Sequence, residues 1–144
     1  MTFTIISVGK LKEAYFIDAV DEYAKRIGGF SKLELIDIKD DKDAAKEILG
    51  KIPPSAFVFA LCIEGKQMSS VEFSRKLELV YLSEKKSICF VIGGSEGLPE
   101  EVKARADFKL SMSEMTFAHR LAKIMLLEQL YRALSIQNNG KYHK

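Results

Sequence analysis

Five segments with the character of β-strands alternate with segments of helical periodicity along the chain. The predicted strands cover residues 2–8, 33–38, 56–63, 87–92 and 108–110. The second alternates apolar with charged residues, whereas the segments 56–63 and 87–92 are apolar throughout. Because strands that are buried on both faces lose their alternation, these two predict the core of a parallel sheet.

The segments between the strands carry apolar residues at helical spacing. The clearest set is Phe16, Ala19, Val20, Tyr23 and Ile27. Further helices are predicted over residues 40–52, about 69–82, a short stretch from 98, and about 116–136, and residues 64–66 read as a turn. The alternation predicts one α/β domain over residues 1–144, with a mostly parallel sheet and helices on both faces.

The last predicted helix has an unusually wide apolar surface. Its apolar residues are Phe117, Leu121, Ile124, Met125, Leu126, Leu127, Leu130, Tyr131 and Leu134. A helix of this kind needs two partners, of which the sheet is one. We therefore expect a homodimer with this helix in the interface. The alternative is a helix at the centre of a monomer.

Three segments outside the predicted core could carry chemistry. The loop 93–97 (GGSEG) follows a buried strand, and its glycines would let a flat ligand approach the backbone. Residues 110–117 are rich in small polar residues and lead into the last helix. The tail 138–144 ends in an aromatic ring, an imidazole and a cation. Taken singly, each has a plainer interpretation as a turn, a capped loop or an idle tail.

The overall composition and net charge do not identify a function, but the distribution of charge along the chain is uneven. The net charge of the 144 residues is +2, but residues 116–144 hold five Lys/Arg and one acid. This local excess suits contact with a polyanion such as RNA, although a solvated helix face explains it equally well.

Neither the cysteines nor the histidines indicate a metal site. Cys62 and Cys89 lie in apolar runs, so we expect buried, reduced thiols. His119 and His143 do not pair with a cysteine at zinc-ligand spacing, and no metal is expected. The sequence shows no signal peptide and no run of membrane-spanning length, so we expect a cytoplasmic protein without membrane contact.

In combination the motifs are specific. They are FVIGGSEGL at 90–98, LSxxxxTFxH at 110–119, ExxYRA at 128–133 and the terminal YHK at 142–144. In this order they resemble the RlmH family, the bacterial ribosomal RNA large subunit methyltransferases H. The likeness runs along essentially the whole chain. One departure is Ala118, where the family usually has proline, and this puts the local loop shape in question.

The resemblance implies a SPOUT fold whose C-terminal part forms a deep trefoil knot. It implies an enzyme that uses S-adenosyl-L-methionine (SAM) to methylate N3 of a pseudouridine in helix 69 of 23S rRNA, within the assembled ribosome. It also implies a homodimer in which the tail of one protomer reaches the cofactor pocket of the other.

The resemblance further assigns residues to roles. The family's cofactor contacts fall on Leu61, Gly93, Met112, Ser113, Glu114, Met115, Thr116 and Phe117. Its tail residues fall on Tyr142 and His143, and its helix arginine on Arg132, and these three are the candidate catalytic residues. His143 could accept the N3 proton or only bind the base. Two other functions stay open: a Rossmann-like dinucleotide enzyme built on the Gly93 loop, and a non-catalytic ribosome-associated RNA-binding factor.

Overall fold

A computed structural model describes residues 1–144, which form five strands and five helices in strict alternation. The strands are β1 (Thr2–Val8), β2 (Lys32–Ile38), β3 (Phe57–Gln67), β4 (Ser87–Ile92) and β5 (Phe108–Ser111). The helices are α1 (Ala14–Gly28), α2 (Ala44–Lys51), α3 (Ser70–Leu82), α4 (Glu100–Arg105) and α5 (His119–Gln137). Every predicted element is present. Helix α2 begins later than predicted, because the Asp41 side chain accepts a hydrogen bond from the Asp43 amide (2.9 Å) and holds a turn.

The five strands form one sheet in the order β2-β1-β4-β3-β5, and every pairing is parallel. The prediction of a mostly parallel sheet is confirmed. Strand β4 lies at its centre, and its apolar side chains from Ile88 to Ile92 are buried. Because all strands point the same way, the loops that follow them gather at one edge of the sheet.

Helices cover both faces of the sheet, as predicted. Helices α1, α3 and α5 pack on the face that presents Phe3, Phe59 and Phe90, whose rings form an aromatic cluster. Helices α2 and α4 pack on the opposite face, over Val58 and Val91. None of the helices combines the length and the apolar character needed to span a bilayer.

Strand β3 is longer than predicted, and the turn expected at residues 64–66 lies inside it. Beyond Leu61 the strand shifts its register on β5 and pairs again from Lys66. A Cβ atom at Gly65 would lie 2.7 Å from the carbonyl oxygen of Lys109. The glycine therefore allows a close backbone approach within an irregular strand, and the predicted turn at residues 64–66 is wrong.

Helix α5 lies between α1 and α3, above the sheet. Leu126, Leu127 and Leu130 are completely buried there, and Ser74 Oγ of α3 donates a hydrogen bond to the Ala133 carbonyl oxygen at 2.9 Å. Two neighbouring helices and the sheet thus cover most of its wide apolar surface within one protomer. The width of that surface does not require a second copy of the chain, contrary to the reasoning from sequence.

Candidate active site

A cavity of about 640 Å³ opens at the carboxyl edge of the sheet. It is bounded by β3 from Leu61 to Ile63, by the loop after β4, and by the segment between β5 and α5. All of the predicted cofactor-contact residues except Glu114 line it; they are Leu61, Gly93, Met112, Ser113, Met115, Thr116 and Phe117. Glu114 is exposed and lies outside the lining. Three segments that are distant in sequence therefore converge on one concave surface.

The loop after β4 is folded back tightly on itself. A Cβ atom at Gly93 would lie 2.6 Å from the carbonyl oxygen of Gly97 and 2.7 Å from the amide nitrogen of Leu98. Gly97 has a φ of +81°, in the left-handed region that favours glycine. Glycines at these two positions let the backbone itself form the wall of the cavity.

Hydroxyl groups hold the segment between β5 and α5. Ser111 Oγ donates to the carbonyl oxygen of Ser113, and Ser113 Oγ accepts from the amide of Met115, both at 3.0 Å. Ala118 adopts a φ of −54° directly before α5. This value is close to the φ that a proline ring imposes, so the backbone that the family's proline would favour is kept without it.

The cavity fits a nucleoside-sized cofactor. Its volume lies in the range of small-molecule sites, roughly 300–1,000 Å³. Leu61, Leu98 and Phe117 offer apolar surface for a flat ring, while the glycine loop and the Ser113 turn bring backbone polar groups to the same surface. The lining residues are thus consistent with the SAM contacts that the resemblance implies.

Two ionisable groups of the cavity wall, Lys103 and Cys62, are paired or half-buried. Lys103 Nζ donates to Glu64 Oε1 at 2.8 Å, and this hydrogen bond lowers the pKa of Glu64. The thiol of Cys62 is half-buried on the cavity, and burial raises its pKa. Cys89 is fully buried as predicted, and burial raises its pKa to about 12. Both cysteines are free thiols, but Cys62 faces the cavity instead of the core. No group of three His, Cys, Asp or Glu side chains is arranged to hold a metal ion.

His119, the first residue of α5, also lines the cavity, although sequence reasoning gave it no role. Its Nε2 would lie 3.2 Å from a Cβ placed on Gly9, so the ring packs against the backbone at the end of β1. The available signal was its place two residues after the predicted cofactor segment. One turn later Lys123 is buried and its Nζ lies 3.0 Å from Asp37 Oδ1.

The tail turns back along α5 through a Schellman motif. The Gly140 amide donates to the Ser135 carbonyl (2.7 Å) and the Asn139 amide to the Ile136 carbonyl (3.2 Å). Asn139 has a φ of +56°, a left-handed conformation that asparagine tolerates. The chain therefore reverses here, and the last residues lie against the helix that precedes them.

The three predicted catalytic residues meet around Glu128. Glu128 Oε1 accepts hydrogen bonds from Arg132 Nε (3.0 Å) and from the Tyr142 hydroxyl (2.9 Å). Arg132 Nη1 lies 3.1 Å from His143 Nδ1, and its guanidinium carbon lies 4.6 Å from the centre of the Tyr142 ring. Burial, with hydrogen bonds to Tyr23 and Glu128, raises the pKa of Tyr142 to about 12. Glu128 belongs to the motif at residues 128–133, but no role was predicted for it; the signal for that role is its place four residues before Arg132.

This tail cluster of Glu128, Arg132, Tyr142 and His143 does not line the cavity at the carboxyl edge of the sheet. Glu128 instead borders a second cavity, of about 440 Å³, between α3 and α5. Leu110, Ser111 and Met112 line both cavities, so one short segment separates them. Within a single protomer, the predicted cofactor residues and the predicted catalytic residues form two adjacent but distinct groups.

Comparison with known proteins connects this architecture to a family. Residues 1–143 match the family described as "Predicted SPOUT methyltransferase". Ribosomal RNA large subunit methyltransferase H 1 of Clostridium perfringens is 45% identical over 159 aligned positions, and that of Clostridioides difficile is 42% identical. Both alignments cover 100% of this chain and 100% of the relative.

Solved structures share the fold at low sequence identity. A "probable methylase family protein" from Haemophilus influenzae aligns with a TM-score of 0.57 and 14% identity, over 99% of this chain and 70% of that one. The SpoU methyltransferase AviRb of Streptomyces viridochromogenes, in complex with AdoMet, aligns with a TM-score of 0.52 and 11% identity, over 96% and 58%. The chain therefore belongs to the SPOUT methyltransferases and, within them, to the ribosomal RNA large subunit methyltransferase H family.

Proposed function

We propose that the protein transfers a methyl group from SAM to N3 of a pseudouridine in helix 69 of 23S rRNA, in the assembled ribosome. The observation that carries the proposal is the convergence of Leu61, Gly93 and residues 112–117 on one cavity. The names of the full-length relatives support a large-subunit rRNA substrate. The complex of AviRb with AdoMet supports the choice of donor.

The chain contributes mainly orientation. When bound, SAM supplies an electrophilic methyl group on a sulfonium, so the reactivity belongs to the cofactor. Leu61, Gly93 and the Met112–Phe117 segment would hold it and direct the methyl group toward the base. The proton on N3 must leave before or during attack. The tail supplies the groups for this step: Tyr142 to stack on or hydrogen-bond the base, and His143 to position or deprotonate it.

The active site is proposed to need two protomers. The last residue of α5 on the cofactor cavity is Ala122, and the tail cluster begins at Glu128, about 9 Å further along the helix at 1.5 Å per residue. A tail held at Glu128 therefore lies beside the cofactor cavity of its own chain without lining it, and a partner's tail would have to complete it. This separation supports the homodimer, with α5 in the interface, better than the width of its apolar surface does.

Contacts to rRNA phosphates are proposed for Lys141 and Lys144, which are exposed in the tail. Arg132 is held by Glu128 and His143 and is not available for such a contact. Lys123 is not available for such a contact, because it is buried on Asp37. Arg120 is held by Glu13 at 2.8 Å. We also propose the cytoplasm as the location, since the ribosome is the substrate.

The deep trefoil knot is part of the same proposal. It is supported by the SPOUT family match and by the proximity of the loop after β4 to the segment that leads into α5, since both line one cavity.

The experiment has two arms. Calorimetry with S-adenosylhomocysteine measures whether the protein has a saturable cofactor site, with NAD as the competing ligand. Methyl incorporation into ribosomes that lack the modification then measures activity, for the full chain and for a chain truncated after Gly140. We expect binding of S-adenosylhomocysteine alone, activity on ribosomes, and loss of activity but not of binding on truncation.

Each contrary result has a distinct meaning. Binding of NAD in place of S-adenosylhomocysteine would favour a dinucleotide enzyme. Ribosome association without a saturable cofactor site would favour a non-catalytic factor. Full activity of the truncated chain would remove the tail from the mechanism.

A further inference from the structure

We infer that His143 serves as a hydrogen-bond donor to the target base through Nε2–H and does not act as the proton acceptor. Arg132 fixes this tautomer of the imidazole, and Glu128 is the positioning residue that aims Arg132. The role toward the base rests on the proposed function, whereas the tautomer is a property of the protein alone.

The contact between Arg132 and His143 determines which ring nitrogen carries the proton. Arg132 Nη1 lies 3.1 Å from His143 Nδ1, within hydrogen-bonding distance. A guanidinium group has five N–H donors and no acceptor, so Nδ1 must be the acceptor and cannot carry a proton. In a neutral imidazole the other nitrogen then bears the hydrogen. His143 therefore presents an N–H at Nε2, which can donate but cannot take a proton.

Glu128 fixes the orientation of the Arg132 guanidinium toward His143. Its Oε1 accepts from both Nε and Nη2 of Arg132, which leaves Nη1 directed at His143. The pair is substantially buried, with side-chain exposures of 24% for Arg132 and 19% for Glu128. The hydrogen bond to Glu128 raises the pKa of Arg132, so the guanidinium stays charged. The charged guanidinium of Arg132 is therefore held against Nδ1 of His143, the ring nitrogen that could otherwise act as a base.

The neighbouring phenol is not an acceptor for the N3 proton either. The Tyr142 hydroxyl donates to the same Glu128 oxygen at 2.9 Å, and its pKa of about 12 keeps it protonated at neutral pH. The Tyr142 hydroxyl and the Arg132 guanidinium therefore both donate to Glu128, and Nε2–H of His143 is the donor left for the base.

A donor suits the chemistry of the base. N3 of pseudouridine lies between two carbonyl groups. When the N3–H bond breaks, the proton passes to solvent water and the electron pair remains on N3, shared with both carbonyl oxygens. A hydrogen bond from Nε2–H to one of these oxygens stabilises that anion. That electron pair would then form the bond from N3 to the methyl carbon of bound SAM, while the bond from that carbon to the sulfonium sulfur breaks and leaves its electron pair on sulfur, giving S-adenosylhomocysteine.

The tautomer can be read directly, because the chain has two histidines only. Long-range ¹H–¹⁵N correlation spectra of the full-length protein, at about pH 8 and above the ordinary imidazole pKa of about 6.5, distinguish Nδ1–H from Nε2–H rings. H143Q assigns the signals, and His119 is the internal control. We expect His143 to be held as the Nε2–H tautomer. An Nδ1–H ring, or the averaged shifts of a free imidazole, would overturn the inference.

Two variants test the positioning. R132Q should release His143 to averaged shifts, and E128Q should shift it in the same direction, while the His119 signals stay in place and report an intact fold. Unchanged His143 shifts in R132Q would show that the arginine does not select the tautomer.

Measurements of methylation activity distinguish a hydrogen-bond donor at His143 from a general base. A glutamine side chain can donate but is not a base, and a general base contributes about 10²–10⁴-fold. H143Q should therefore keep kcat within about tenfold of the natural protein, and H143A should fall well below H143Q. A loss of 10²-fold or more in H143Q, equal to that in H143A, would identify a base. If the natural protein fails to methylate ribosomes, the proposed function fails while the tautomer result remains valid.

Discussion

Lys123 Nζ lies 3.0 Å from Asp37 Oδ1 and joins the first half of α5 to the end of strand β2. Ser7 Oγ of β1 donates to the same oxygen at 3.3 Å. The lysine side chain is only 6% exposed, whereas that of Asp37 is 41% exposed. The buried Lys123 ammonium therefore depends on Asp37 to balance its charge, whereas the Asp37 carboxylate is also in contact with solvent.

Removing the carboxylate should destabilise the protein more than removing an exposed ion-pair partner. Asp37→Ala leaves a buried ammonium without its partner, and we expect a loss of about 1–3 kcal/mol in unfolding free energy, reduced by the water that reaches Asp37. Urea denaturation measures it. Glu22→Gln, which breaks the exposed Glu22–Arg26 pair, is the control and should cost clearly less than Asp37→Ala. Equal losses in both variants would contradict the importance of burial.

A methyl group at Gly93 should weaken cofactor binding. In Gly93→Ala the new Cβ would overlap the backbone of Gly97 and Leu98, so the loop must open. Gly50→Ala in α2 is the control, because no atom lies within 4 Å of its new Cβ. We expect G50A to bind S-adenosylhomocysteine unchanged in calorimetry and G93A to bind at least tenfold more weakly. Equal affinities would show that the glycine loop does not form the binding wall.

A ligand in the cofactor cavity should protect one of the two cysteines. Cys62 lines the cavity and is half-buried, and its raised pKa predicts slow alkylation at neutral pH. S-adenosylhomocysteine should slow it severalfold further, as measured by mass spectrometry of iodoacetamide adducts. Cys89, which is fully buried, should react only after unfolding, with or without ligand. Unprotected Cys62 under saturating ligand would place the ligand elsewhere.

Tyr142 should make the protein less stable as pH rises from about 10 to about 12. Its pKa is raised to about 12 in the folded chain, against about 10 in the unfolded chain. In that window the unfolded chain loses the phenol proton first, so the unfolding free energy falls with increasing pH. The fall should be shallower in Tyr142→Phe. A phenolate difference titration of the two proteins checks the cause, and a midpoint near pH 10 would contradict it.

Restoring the family's proline should be tolerated. Ala118 already has a φ of −54°, and its amide donates no backbone hydrogen bond outside the regular elements. Ala118→Pro should therefore leave stability unchanged or raise it by about 0.4–1 kcal/mol, because the unfolded chain loses freedom. Thermal denaturation measures the change, and methylation activity should be retained. A loss of more than 1 kcal/mol would mean that the loop needs another conformation.

Much of the fold could be predicted because its signals are local. The apolar runs of β3 and β4 and the periodicity of α1 depend on residues close in sequence, and burial on both faces of a parallel sheet leaves a simple pattern. The candidate loops at residues 93–97 and 110–117 could be placed at one edge of the sheet for the same reason, because loops after parallel strands share an edge. The cofactor role of their residues and of Leu61 was implied only by the family resemblance.

The parts that escaped prediction depend on contacts between distant residues. Gly65 resembles a turn residue until the backbone of Lys109 is placed beside it. The apolar surface of α5 gives no sign that α1 and α3, instead of a second chain, cover most of it. Glu128 looks like any helix acid, and its importance comes from a tail that returns from beyond residue 140.

Asn139 reverses the chain at the end of α5, so the direction in which the tail leaves depends on how far the helix has rotated at that residue. Each residue of an α-helix turns the chain by about 100°, so one inserted residue between Arg132 and Asn139 would swing the exit point to another side of α5. Tyr142 and His143 would then leave their partners although every functional side chain was still present. The length of the last helix is therefore as much a determinant of this site as the residues it carries.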